Sequence, residues 1–168
     1  MVRLASMIAA LCLGACAYGS ASVAEPLDMT APIDLSTPEA AVYSMIRAMY
    51  QGDGEMVDQI FLPGAELRRV SADGEVRPDA FQRWRDWVAG LEVGHAHEEL
   101  FDVTTEEFGH LATVWAPFVI SVGGELAGCG VNTLTLTKVD GDWRVIFAMD
   151  SQAPEGTCEE LRKAHAAP

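Results

Sequence analysis

Residues 111–150 constrain the fold of this chain more than any other stretch, because two tight-turn signals fall inside one long β-rich run. LATVWAPFVISV is followed by Gly123-Gly124, then ELAGCGVNTLTLTKV, then Asp140-Gly141 and DWRVIFAMD. Two-residue hairpin turns need positive φ, which glycine adopts without steric cost, so Gly-Gly and Asp-Gly between alternating apolar runs mark β-hairpins. The stretch predicts three long, contiguous, antiparallel strands.

The residues before it read as helices. Ser36-Thr37-Pro38-Glu39 combines a hydroxyl N-cap, an early proline and a glutamate placed for a capping box, and Val42, Met45, Ile46 and Met49 continue with helical spacing until Gly52. A second short helix is expected over Gly54 to Ile60, then a small strand pair around Asp73-Gly74. Phe81, Trp84, Trp87, Val88 and Leu91 mark a third helix after Pro78. His95 to Val103 reads as a strand and TTEEFG (104–109) as a polar loop. Helices first and a long antiparallel sheet after place the chain in the α+β class, with three N-terminal helices packed on one face of a curved sheet.

Leu111-Ala112-Thr113-Val114-Trp115-Ala116-Pro117-Phe118, Cys129-Gly130-Val131-Asn132 and Asp140-Gly141-Asp142-Trp143-Arg144-Val145-Ile146 together resemble the nuclear transport factor 2-like superfamily, in particular its SnoaL-like and lumazine-binding-like members. TPEAAVYSMIRAMYQGDGEMVDQIF is similar to that superfamily's first two helices, so the resemblance covers residues 36–151. It implies a cone-shaped fold whose helices and curved sheet enclose a pocket. Some members use that pocket for isomerase, cyclase or dehydratase chemistry and others only for binding. It also implies homodimers.

The chain has 168 residues, 25 acidic and 11 basic, for a net charge of −14 with only two lysines, Lys138 and Lys163. There is no basic stripe to neutralise phosphates, which argues against nucleic acid and anionic membrane surfaces as partners. Residues 1–24 read as an export leader: Arg3, an apolar run from Leu4 to Ala15, and the small-residue pattern Ser22-Val23-Ala24. Leu13-Gly14-Ala15-Cys16 offers a competing reading as a lipobox with Cys16 lipidated, the one route by which the chain would reach a membrane. Either way the expected location is periplasmic or lipid-anchored in a bacterial envelope. Residues 25–35 are expected to be a linker, 36–152 the domain and 153–168 a C-terminal tail. With the leader removed, Cys129 and Cys158 remain, to form a disulfide in an oxidising compartment or to stay as two free thiols.

An Asp140-Gly141 turn pairs Val139 with Asp142, and one sheet face then holds Asn132, Leu134, Leu136 and Lys138 against Met149, Phe147, Val145 and Trp143. Extension through Gly123-Gly124 sets Trp115 opposite Asn132 on that face. Trp115, Asn132, Met149 and Phe147 are therefore the expected ligand-binding residues. A buried amide costs a few kcal/mol unless paired, so Asn132 either bonds within the fold or faces a cavity. Val114, Phe118 and Val131 fall on the outer face, an apolar patch for a homodimer unless the C-terminal tail covers it. Pro117 and the glycines of 123–130 are places where a bulge would shift the register by one and exchange the faces.

His95, His97 and Glu99 share one side of a strand, but no third imidazole is near in sequence, so no metal and no cofactor are implied. Acid–base candidates are His97, Asp102 and, as an oxyanion donor, Tyr50. Whether His97 or Glu98 points inward is left open by the long loop that follows. The core-facing positions that the register places hold no carboxylate. The sequence thus reads as an exported, non-catalytic binding or accessory protein for a small hydrophobic ligand. The alternatives are an isomerase- or dehydratase-type enzyme using a His or Asp in the same pocket, and a structural interaction module.

Overall fold

The computed structural model describes residues 27–154 and 156–165; the expected leader, including Cys16, lies outside them. Helix α1 (Pro38–Gln51) starts where the sequence places it: Thr37 Oγ accepts from Ala40 N at 3.0 Å, and Pro38 occupies a position whose N–H would have no helical partner. Gly52 ends it in the left-handed region at φ 69°, against the Leu91 carbonyl, where a Cβ would approach to 2.2 Å. Helix α2 (Gly54–Ile60) is capped by Asp53, which accepts from Met56 N at 2.8 Å. Strand β1 (Phe61–Val70) and the short β2 (Val76–Arg77) then pair antiparallel, and α3 (Phe81–Ala89) follows.

Residues 27–35, expected to be a linker, are docked on α1. Ser44, fully buried, accepts from Asp34 N at 2.9 Å and donates to Asp34 O at 3.0 Å, while Met29, Ile33 and Leu35 pack on the core. Trp143 N donates to Leu35 O at 2.8 Å, tying the segment to the sheet as well.

The sheet comprises β1, β2, β3 (Ala96–Leu100), β4 (Thr104–Phe108), β5 (Leu111–Val122), β6 (Glu125–Val139) and β7 (Asp142–Gln152). The order is β2-β1-β7-β6-β5-β3, with β4 also on β5; β1 runs parallel to β7 and every other pairing is antiparallel. The three long strands and both turns stand where the sequence puts them. TTEEFG, expected as a loop, is mostly β4, closed onto β5 by Gly109 in the left-handed region at φ 63°. Its residues are all exposed, so a polar composition and a strand are compatible here.

Two bulges decide which side chains reach the core. In β6, Ser121 pairs with Leu126 but Ile120 with Gly128, so Ala127 is an extra residue. In β7, Leu136 pairs with Val145 but Thr135 with Phe147, so Ile146 is extra. Because side chains alternate with period two, each extra residue exchanges the faces of everything beyond it. Trp115 is consequently 52% exposed, whereas Ala112, Val114, Ala116 and Phe118 face the helices and are buried. On β7, Ala148 and Asp150 take the inward positions that an unbulged register gives to Phe147 and Met149.

The main core lies between the inner sheet face and α1–α3, with Val42, Ile46, Ile60, Val88, Leu134, Leu136, Trp143 and Val145 essentially inaccessible. On the outer face, helix α4 (Thr157–His165) is tied to β6 by the Cys129–Cys158 disulfide, with Cα atoms 5.4 Å apart. Val119, Phe101, Ala153 and Leu161 pack around the bridge, and Arg162 donates to Glu99 at 2.7 Å. The expected tail is thus a helix covering one end of the outer face. Val114 and Phe118, expected there as a docking patch, are inside; the outer face presents Trp115, Leu111, Ile146 and the threonines of β6 instead.

Candidate functional site

A cavity of about 450 Å³ separates the helices from the inner sheet face. Its walls are mostly apolar, from Met45, Ile46 and Met49 of α1, Phe61 of β1, Trp84 and Trp87 of α3, and Phe118 and Leu134 of the sheet. Phe61, Phe81 and Trp84 form an aromatic cluster on the α3 side, with Phe61 centred 4.9 Å from Phe81 and 5.6 Å from Trp84.

Into this apolar surface the sheet sets one polar rank. Arg77 is directly opposite Arg69, Arg69 opposite Asp150, and Asp150 opposite Asn132, so four residues from four adjacent strands line up across the inner face. Arg69 Nε lies 3.0 Å from Asp150 Oδ2. At the far end Asn132 Nδ2 donates to Glu98 Oε1 at 2.7 Å, from β3. Glu98 shares the inward side of β3 with the fully buried Ala96; His97 and Glu99 take the other side.

The electrostatics follow from enclosure. Burial pushes the Glu98 carboxyl from 4.5 to about 7; the Asn132 hydrogen bond acts against the shift, the Asp150 charge adds to it, and Arg69 opposes it. Asp150 is also raised, by burial, with Arg69 drawing it back. Asp150 Oδ1 is buried without a hydrogen-bond partner among the described residues. A buried acceptor left unmatched costs about 1–3 kcal/mol, and a polar group entering the cavity is positioned to satisfy it.

The residues singled out from sequence are distributed unevenly. Asn132 lines the cavity from an inward register position, whereas Met149 borders it only from the outward position between Ala148 and Asp150, opposite Thr133. Trp115 and Phe147 do not; Phe147 lies under the Arg68 guanidinium, 5.8 Å from its ring centre. His97, Asp102 and Tyr50 also lie outside the lining; His97 and Tyr50 make an edge-to-face contact with centroids 5.9 Å apart. Sequence reasoning missed Glu98, Asp150 and Arg69 as a set. Alternation from Ala96 would have found Glu98, since a small apolar residue two positions earlier marks the inward side. Asp150 depended on the Ile146 bulge, which has no glycine or proline to announce it.

No protein-family model matches the chain, and no curated protein does. Many solved structures share its fold. A protein described as a candidate dehydratase of the nuclear transport factor 2-like family from Streptomyces avermitilis is 19% identical, with 72% of this chain and 96% of that one covered at a TM-score of 0.58. A protein of unknown function from Mycobacterium tuberculosis is 18% identical over 72% of this chain and 73% of that one, with a TM-score of 0.57. A nuclear transport factor 2-like protein of unknown function from Shewanella baltica is 15% identical over 68% and 90%, with a TM-score of 0.52. The chain has the α+β nuclear transport factor 2-like fold: N-terminal helices on a curved, mixed, mostly antiparallel sheet. At these identities the likeness speaks to fold alone.

Proposed function

We propose that this protein works outside the bacterial cytoplasm, binds a small and largely apolar molecule in the cavity, and moves a proton on it through Glu98. The leader-like residues 1–24 and the Cys129–Cys158 disulfide support the location, since structural disulfides persist in oxidising compartments. The one observation that carries the chemistry is a glutamate inside an apolar cavity, oriented by the Asn132 amide at 2.7 Å and titrating at about 7. A carboxyl poised near the working pH serves as either proton donor or acceptor, the condition for efficient general acid–base catalysis. The sequence reading of a non-catalytic binder rested on a core face without carboxylates; Glu98 and Asp150 on that face shift the balance to the isomerase- or dehydratase-type alternative.

Two balanced reactions fit. Glu98 as carboxylate removes a proton from the carbon next to a carbonyl and returns it two atoms away, shifting a double bond. Alternatively it takes that proton while a β-hydroxyl leaves as water, the water carrying the same proton away. Neither needs an electron acceptor. The dehydratase name attached to the Streptomyces neighbour is compatible with the second.

The test is exchange of the carbon-bound proton. Cyclic enones and β-hydroxy ketones of one to three rings are incubated with the protein in deuterated buffer and followed by proton NMR. Solvent deuterium enters next to the carbonyl with wild type, and folded Glu98→Gln is slower by about 10²-fold or more, the usual weight of a general base. Exchange that survives Glu98→Gln would take the proton transfer away from Glu98, and ligands that bind without exchange would return the protein to a binding role.

A further inference from the structure

Arg77 and Arg69 stand directly opposite each other on neighbouring strands and on the same face, an arrangement of like charges that weakens a sheet. Arg69 is neutralised by Asp150. Arg77 is not comparably served: its partner Glu75 lies 3.2 Å away with both side chains more than 60% exposed, where an ion pair contributes little. Arg83, from α3, lines the same cavity and has no ion pair among the described residues. Three of the chain's 11 basic residues thus line one mostly apolar cavity with exposed side chains, in a protein of net charge −14. Neither Arg77 nor Arg83 is needed to hold these elements together, since β1 and β2 are joined by backbone pairing and α3 is held on β1 by the Phe61–Phe81–Trp84 cluster.

We infer that the ligand is an apolar carboxylic acid, held with its hydrocarbon body against Phe61, Trp84 and Met49 and its carboxylate at Arg77 and Arg83. The opposite end of the molecule then lies toward Asn132 and Glu98. Guanidinium groups match carboxylates through paired N–H donors, and a cationic mouth on an acidic protein supplies local attraction that the overall charge would otherwise oppose. Asp150 holds Arg69 and keeps the anion from moving deeper, so the rank sets the direction in which the ligand enters. The inference rests on the cavity being a ligand site, as proposed above, but not on proton transfer by Glu98.

The experiment compares 2-naphthylacetate with 2-naphthaleneethanol, equal in ring system and differing in charge, by isothermal titration calorimetry at pH 8 and low salt. The acid is expected to bind about tenfold more tightly, the size of one charge-assisted contact at a half-open site. That preference falls to about threefold or less in the Arg77→Gln/Arg83→Gln double variant and in 0.5 M salt, with near-UV circular dichroism confirming the folded state. Equal affinity for acid and alcohol, or a preference that survives both the double variant and salt, overturns the anion assignment and leaves the Glu98 chemistry standing. Binding of neither probe overturns the anion assignment and the ligand site together. A variant that fails to fold is replaced by the single Arg83→Gln, at an exposed position of α3, and the salt series on wild type decides in parallel.

Discussion

Replacing Glu98 with Gln should make the protein more stable at neutral and alkaline pH while removing the proton exchange proposed for it. The wild-type carboxyl titrates at about 7 when folded and near 4.5 when unfolded. Below pH 4.5 it is neutral in both states and contributes nothing. Between 4.5 and about 7 only the unfolded chain gives up the proton, so stability falls as pH rises, and above about 7.5 the full penalty of holding an anion in the cavity is present. At about 1.4 kcal/mol per pH unit the rise from 4.5 to about 7 amounts to about 3.5 kcal/mol, which water in the open cavity reduces to about 2. Glutamine is neutral throughout, and its carbonyl can accept the Asn132 hydrogen bond. Urea denaturation of both proteins at pH 5 and pH 8 measures the effect. Part of the penalty is already present at pH 5, so the stability difference should grow by about 1.5 kcal/mol in favour of Glu98→Gln over that interval. Asp150 is raised by burial and acts with the same sign, but it is present in both proteins and largely cancels. A difference that stays constant within about 0.5 kcal/mol, or that grows in favour of wild type, would refute the buried-acid assignment. The gain at pH 8 would be the signature of a residue kept at a cost in stability for its chemistry.

Ser44→Ala removes the hydroxyl that satisfies both the N–H and the C=O of Asp34, and should cost about 1–3 kcal/mol in urea denaturation by leaving those groups unpaired beneath the docked 27–35 segment. At Gly130, opposite Gln152, an added Cβ would stand 1.9 Å from the Ser151 carbonyl oxygen. Gly130→Ala should therefore part β6 from β7 beside the Asn132–Asp150 pair, lowering stability by at least about 2 kcal/mol and abolishing the pH signature of Glu98. The Cys129–Cys158 bridge spans 29 residues, and reduction should cost about 3 kcal/mol through the freed unfolded chain. Thermal melts with and without dithiothreitol measure that loss, and trypsin cleavage at Arg162 and Lys163 should appear on reduction as α4 leaves the sheet.

The sequence alone determined the strand count and order of the 111–150 unit, because Gly123-Gly124 and Asp140-Gly141 are local turn chemistry that no distant contact has to assist. It determined the ends of α1 for the same reason: Thr37, Pro38 and Gly52 act within one helical turn of themselves. Cys129 and Cys158 were legible as a pair of candidates, though only three-dimensional closeness joins them. The facing of Trp115, Phe118, Phe147 and Asp150 was settled by tertiary structure. Each depends on a bulged residue, Ala127 or Ile146, whose placement reflects how the whole sheet curves onto α1 and α3, not any preference of the residue itself. The candidate site has the same character. Arg77, Arg69, Asp150 and Asn132 are scattered from residue 69 to 150 and become a rank only through strand register, and Glu98 becomes an acid near neutral pH only because packing encloses it. Turns and caps are written in neighbouring residues; the alignment and burial of charges depend on long-range pairing, which the folded chain alone supplies.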